Sequence, residues 1–168
     1  VARIDGRDLS VRPLQVGRRP TQVRAAEIEG QGAVAYVLCE GDSTLAIIRV
    51  DELARDGQAR GRVDLLELPD EVNTLHLSPD GRHVLATIDP DQPLLDGTSV
   101  ASLQTMALIR LGEAPGEDEV FELSVTRLIR DVEFDAQGRW AFIVGQEGVH
   151  RIELAEVEGD RFVPPLDL

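Results

Sequence analysis

Lysine is missing from this chain. All 17 basic residues are arginine, a bias that fits a GC-rich genome and that removes chemistry. No residue can form a Schiff base, act as an amine base of depressed pKa, or serve a phosphate-binding P-loop. Cysteine is almost missing too. Cys39 stands alone, so no intrachain disulfide and no cysteine-based zinc site can form. It lies inside an apolar stretch and reads as a small buried hydrophobe. Positive charge is scarce: 31 acidic residues leave a formal net charge of −14. Such a chain repels phosphate backbones and anionic lipid, so it is expected to bind neither nucleic acid nor a membrane surface. No apolar run reaches the roughly 18 residues of a membrane-spanning helix, and no membrane insertion is expected. The sequence shows no secretory leader pattern and starts at Val1 rather than Met, which reads as a trimmed chain or a segment boundary.

What is present is a pattern written three times: apolar–x–apolar, a polar turn ending in Gly, then an apolar run. The copies are Ala26–Ile28 with Gly32 and Val34–Leu38, Leu75–Leu77 with Gly81 and Val84–Ala86, and Val132–Phe134 with Gly138 and Trp140–Val144. The turn glycines are 49 and 57 residues apart. A period near 50 residues built from short strands points to an all-β fold, part of a β-propeller of four-stranded antiparallel blades. The turn chemistry agrees. In Ser78-Pro79-Asp80-Gly81, Pro sets φ, Asp bonds locally and Gly accepts positive φ.

The strands expected are Val23–Ile28, Ala33–Cys39, Leu45–Val50 and Val63–Leu68 in the first unit. The second has Thr74–Leu77, His83–Ile88, Thr105–Leu111 and Glu119–Leu123. The third has Asp131–Phe134, Trp140–Val144, Val149–Leu154 and Arg161–Val163. Residues 1–16 read as the end of a preceding blade, with Leu9–Leu14 its outer strand. Blades then occupy 17–69, 70–124 (with an insert at 89–102) and 125–168. The segment Leu75–Thr87 (LHLSPDGRHVLAT) resembles the repeat of WD40-like and YVTN-type bacterial propellers, and Gly17–Asp51 is similar to a YVTN-type unit. The resemblance covers residues 17–155. It implies a periplasmic, envelope or secreted protein and carries no catalytic signature. Propellers have typically about four to eight blades, so three and a fraction cannot close. A partner chain, a second copy or further blades of a longer polypeptide are expected to complete the ring.

Propeller loops between strand 4 and the next strand 1 share a face with the 2–3 loops, and ligands gather there. That face would hold Arg19 and Arg127. Arg24, Asn73 and Arg130, each two residues before the first apolar residue of its repeat, would ring the mouth and hold a carboxylate or phosphate. The bland reading makes them solvated charges. Asp89, Asp91 and Asp96 in the insert are candidate Ca²⁺ ligands, although the spacing and two prolines differ from a calcium loop. Otherwise no cofactor is expected. His76, His83 and His150 are scattered and read as structural. Ser78 lacks a nucleophile-elbow motif and reads as a turn residue. Trp140 is expected to pack between blades. Two functions stay open: a non-catalytic binding or scaffold module, and a propeller enzyme of lactonase or hydrolase type with its site at the channel mouth.

Overall fold

The structure is a computed structural model that describes residues 2–4, 11–50, 61–68, 72–89, 91, 105–125 and 128–166. Strands dominate it, and one short 3-10 turn at Leu154–Glu156 is its single helical element among the described residues. Among the described residues no helix is long and apolar enough to cross a membrane.

Strands β1 (Ala2–Ile4) and β2 (Val11–Pro13) pair antiparallel, so the described part of the expected outer strand of a preceding unit has an antiparallel partner. Strands β3 (Pro20–Ile28), β4 (Gly32–Cys39), β5 (Thr44–Val50) and β6 (Gly61–Glu67) form sheet I, antiparallel and in chain order. Sheet II contains β7 (Thr74–Leu77), β8 (His83–Thr87), β9 (Thr105–Arg110) and β10 (Glu119–Ser124), again an antiparallel meander. Sheet III contains only β11 (Asp131–Phe134), β12 (Trp140–Gly145) and β13 (Gly148–Glu153).

The expected fourth strand of the third unit goes elsewhere. β14 (Arg161–Phe162) pairs parallel with Leu123–Ser124 on the outer edge of sheet II, giving that sheet five strands. The chain then returns: the Val163 carbonyl accepts from buried His150 Nδ1 at 2.9 Å, and the Leu166 N–H donates to the Val149 carbonyl at 2.8 Å. The expectation of three four-stranded antiparallel blades is corrected accordingly. The cause is that a two-residue strand offers too little pairing to bind it to its own unit, and burial of Val163 in the core shared by sheets II and III fixes its path.

Alternation along the strands explains how the sheets stack. In β4, Val34, Tyr36 and Leu38 join Val84, Ala86, Ala107 and Ile109 of sheet II in one core. In β8 and β9 the opposite faces, Leu85, Met106 and Leu108, join Val132, Ala141, Ile143 and Ile152 of sheet III in a second. The other face of sheet I, Val37, Cys39, Ala46 and Ile48, is capped in part by Leu14 and Val16. The central strands of sheets I and II are therefore apolar on both faces because both faces are covered, in sheet I in part by Leu14 and Val16. Each large aliphatic so buried contributes about 1.5–3 kcal/mol.

Polar ties cross the stack at repeated places. Tyr36 Oη donates to the Gly81 carbonyl at 2.6 Å, joining sheet I to the turn of sheet II. Arg49 binds Asp64 within sheet I and Asp118 beyond β9. Arg110, the corresponding residue of β9, lies over the Phe121 ring and donates to the Leu154 and Val157 carbonyls beside sheet III.

The Ser78–Gly81 turn is as structural as its sequence suggested. Ser78 is buried; its hydroxyl donates to Asp80 and accepts from the His83 N–H. Burial alone would raise the Asp80 carboxyl. The nearby His83 ring, the Ser78 hydroxyl and the Arg82 N–H outweigh it and bring the carboxyl down to about 2. A folded-state pKa below the unfolded value of 3.8 stabilises the fold above that value and is lost as pH falls towards 2. Acid unfolding followed by tryptophan fluorescence should therefore show Asp80→Asn losing part of the stability increment that the parent gains between these two pH values. An unchanged pH profile would refute the assignment.

Candidate functional site: a cleft between sheets II and III

Gly+4 positions set the rows of the first strands. Tyr36, Leu85 and Phe142 each lie four residues after their turn glycines. They pair with Arg24, His76 and Glu133 respectively. The next row outward pairs Gln22 with Leu38, Thr74 with Thr87 and Asp131 with Val144. Equivalence read by counting from the repeats had grouped Arg24 with Asn73 and Arg130. The pairing corrects this: partners in this row are 12 residues apart in the β3–β4 hairpin (Arg24 and Tyr36) and nine apart in the other two (His76 and Leu85, Glu133 and Phe142), so Arg24 falls in the row of His76 and Glu133. Asn73 and Arg130 remain equivalent, each donating its backbone N–H to the last row of the neighbouring strand, at Thr87 and Val144.

One row decides whether a cleft opens between neighbouring sheets. Between sheets I and II, the Gln22 side chain reaches across and accepts from the Leu75 N–H at 2.9 Å. Between sheets II and III the same row holds the shorter Thr74. The corresponding Val132 N–H takes its acceptor locally, from Asp131 Oδ1 at 2.9 Å. A cavity of about 170 Å³ is left there, lined by Thr74, His76, Thr87, Ile88, Asp89, Asp91, Ile129, Arg130 and Asp131. That is well above the ~10–15 Å³ one water needs.

The walls are held in place from behind. Asn73 is buried; its Nδ2 donates to the Asp89 carbonyl at 3.0 Å and its Oδ1 accepts from the Asp89 N–H at 2.6 Å. The Asp91 N–H donates to Asp89 Oδ1, which bends the chain after β8 around the cavity mouth. His76 Nε2 lies 3.0 Å from the Thr87 hydroxyl. Burial, and next the Arg24 guanidinium, hold its imidazole below the usual histidine value, against the pull of Asp131 and Asp89. The ring is therefore neutral at pH 7.

The residues singled out from sequence thus separate. Arg130, Asp89 and Asp91 meet at one cavity. Asn73 is a positioning residue rather than a liner. Arg24 is exposed on β3, donates to its neighbour's carbonyl on Val23, and acts on His76 through its charge. Arg19 is exposed before β3 with φ +50°, beside the Arg18 backbone that binds Gly41 and Asp42. Arg127 and Asp96 lie outside the described residues. Among the described residues no group of three His, Cys, Asp or Glu side chains is placed to hold a metal ion. Thr74, His76, Thr87 and Asp131 escaped sequence reading as liners. The signal for Thr74, His76 and Thr87 was the alternation of β7 with β8, and that for Asp131 the start of β11, visible only once the register is known.

No family model matches the chain, and no curated protein matches it. Among solved structures, a protein from Bacteroides uniformis described as a candidate 6-phosphogluconolactonase superposes with a TM-score of 0.51 at 12% identity, over 87% of this chain and 39% of that one. A protein of unknown function from Desulfotomaculum acetoxidans gives 0.41 at 11% identity, over 99% of this chain and 61% of that one. The chain spans less than two thirds of either neighbour, and at such identity the first likeness is one of fold alone.

Proposed function

We propose that this chain is an arc of a WD40-like, YVTN-type β-propeller, that further blades complete its ring, and that it works as a non-catalytic binding and scaffold module. One observation carries the reading: corresponding positions are buried inside the stack and open at its two ends. Val23, Leu75 and Val132 occupy the same row of successive first strands, and their exposures are 53%, 1% and 7%. At the far end, Leu38 and Thr87 are fully covered whereas their equivalent Val144 is 37% exposed. Trp140 and Phe142 share that open face and are half-buried. Among the described residues no further sheet packs on Trp140; the Arg139 and Arg151 guanidiniums lie over its ring. Glu153 stands where Arg49 and Arg110 reach across to the next sheet, and it binds Arg139 of its own sheet. Two apolar end faces of this kind are docking surfaces for further sheets of the same repeat.

Light scattering on the isolated chain tests the reading. Self-association is expected, reduced when Val144→Arg and Val23→Glu are introduced together. A monodisperse monomer with its end faces unmodified would overturn it. The description of the Bacteroides neighbour as a candidate 6-phosphogluconolactonase supports a second reading, a lactonase whose site needs further blades. Lactone hydrolysis by the completed ring would favour that enzyme over the binding module.

A further inference from the structure

Buried polar atoms are almost always hydrogen-bonded, so those that lack a protein partner mark places where something else binds. Among the described residues six buried side-chain atoms have none, and three of these belong to one network at the junction of sheets I and II: Gln31 Oε1, Arg49 Nε and Asp118 Oδ2. The groups that carry them are already joined. Arg49 Nη2 and the Gly112 N–H both donate to Asp118 Oδ1, and Gln31 Nε2 donates to the Gly112 carbonyl at 2.9 Å. Each orphan is thus the second polar atom of a group whose first is fixed in the network. The Asp118 side chain is fully covered and that of Arg49 is 7% exposed. We infer that this junction holds one buried water, which donates to Gln31 Oε1 and Asp118 Oδ2 and accepts from Arg49 Nε. The water is a structural ligand that ties the β3–β4 turn, β5 and the loop at 112–118 at a single point.

The donor inventory selects the ligand. One N–H and two oxygens are left over, and a water with two donors and two lone pairs satisfies all three at once. A cation suits the two oxygens but is repelled by the guanidinium beside them. An anion suits the N–H but is repelled by the carboxylate. A direct two-pronged contact between Arg49 and Asp118 would pair Nε with Oδ2 and still leave Gln31 Oε1 alone. The position also recurs along the stack. Arg110 holds the place of Arg49 in β9, and its Nε and the Nδ1 of its cross-strand partner His83 are likewise buried without a hydrogen bond. Five of the six orphaned atoms therefore belong to the two junction arginines and the groups around them. The need arises from the repeat and not from one local misfit.

A crystal structure of the whole chain, with water-to-protein cross-relaxation measured by NMR, tests the inference. One density peak should lie about 2.7–3.2 Å from all three atoms. The Arg49 Nε–H should show a direct cross-peak to a water held far longer than surface water. Gln31→Met keeps the length of the side chain and removes the acceptor, and should shorten that stay about tenfold, the yield of one hydrogen bond. Should that variant fail to fold, the parent's density peak and cross-peak decide by themselves. Arg49 Nε bonded directly to Asp118 Oδ2, with no peak between the three groups, would overturn the inference. So would a peak at about 2.3–2.6 Å from the two oxygens, the spacing of a bound cation, or a water whose stay Gln31→Met leaves unchanged.

Discussion

Gly81→Ala should destabilise the protein by about 2–5 kcal/mol, the sum of a left-handed backbone forced on a non-glycine residue and an overpacked contact. Gly81 has φ +72°, and a Cβ placed on it would lie 2.6 Å from the Ala26 Cβ and 3.1 Å from Ile28 Cγ1. These neighbours belong to sheet I, so the strain falls where the turn of sheet II wedges into it. Urea denaturation measures the loss, and Gly116→Ala supplies the control. Gly116 has φ +88° with nothing within 4 Å of its would-be Cβ, so its variant bears backbone strain alone, about 1–2 kcal/mol. Equal losses for the two variants would show that Gly81 serves its turn and not the junction between sheets. The Tyr36 hydroxyl bond to the Gly81 carbonyl fixes the same point from the other side.

Arg49→Met should cost about 3–5 kcal/mol, the usual penalty for leaving one partner of a buried pair without its counter-charge. The Asp118 side chain is completely buried; one of its oxygens meets Arg49 Nη2 and the Gly112 N–H. Its other oxygen has no hydrogen-bond partner, so the guanidinium is its main compensation. The double variant Arg49→Met with Asp118→Leu removes both charges and should recover most of the loss, since an apolar pair of similar size is often as stable as the ion pair it replaces. A double-mutant cycle in urea reads the coupling. Additive losses would mean that the pair contributes nothing across the junction of sheets I and II.

Sequence patterning located most strands because both-face burial leaves a plain mark. Thr74–Leu77 and Asp131–Phe134 match the expected segments to the residue. Each lies next to a turn whose Pro, Asp or Gly sets the backbone. Three features were not legible, each for a physical reason. Arg161–Phe162 pairs with a strand far back in the chain, and no local period announces a distant edge. Arg24 was misaligned because hairpin length, and not the position of the turn glycine, decides which residues face each other across β3 and β4. The cleft was hidden because it depends on one side chain's reach: Gln22 closes a gap that Thr74 leaves open. That difference has meaning only after the two are known to share a row. Arg130, Asp89 and Asp91 were picked out by charge and loop position alone, which sufficed to find the cavity but not its other walls.

The returning segment 161–166 grips the margins of two neighbouring sheets at once, with β14 on β10 and Leu166 on β13. It works as a seam. Sheet III cannot peel away unless this stitch gives first, so the second and third sheets melt as one cooperative block. Sheet I is joined to that block through a shared apolar core and side-chain ties such as Tyr36 and Arg49, and among the described residues no backbone–backbone hydrogen bond crosses that joint, so it is the part of the stack freest to loosen by itself.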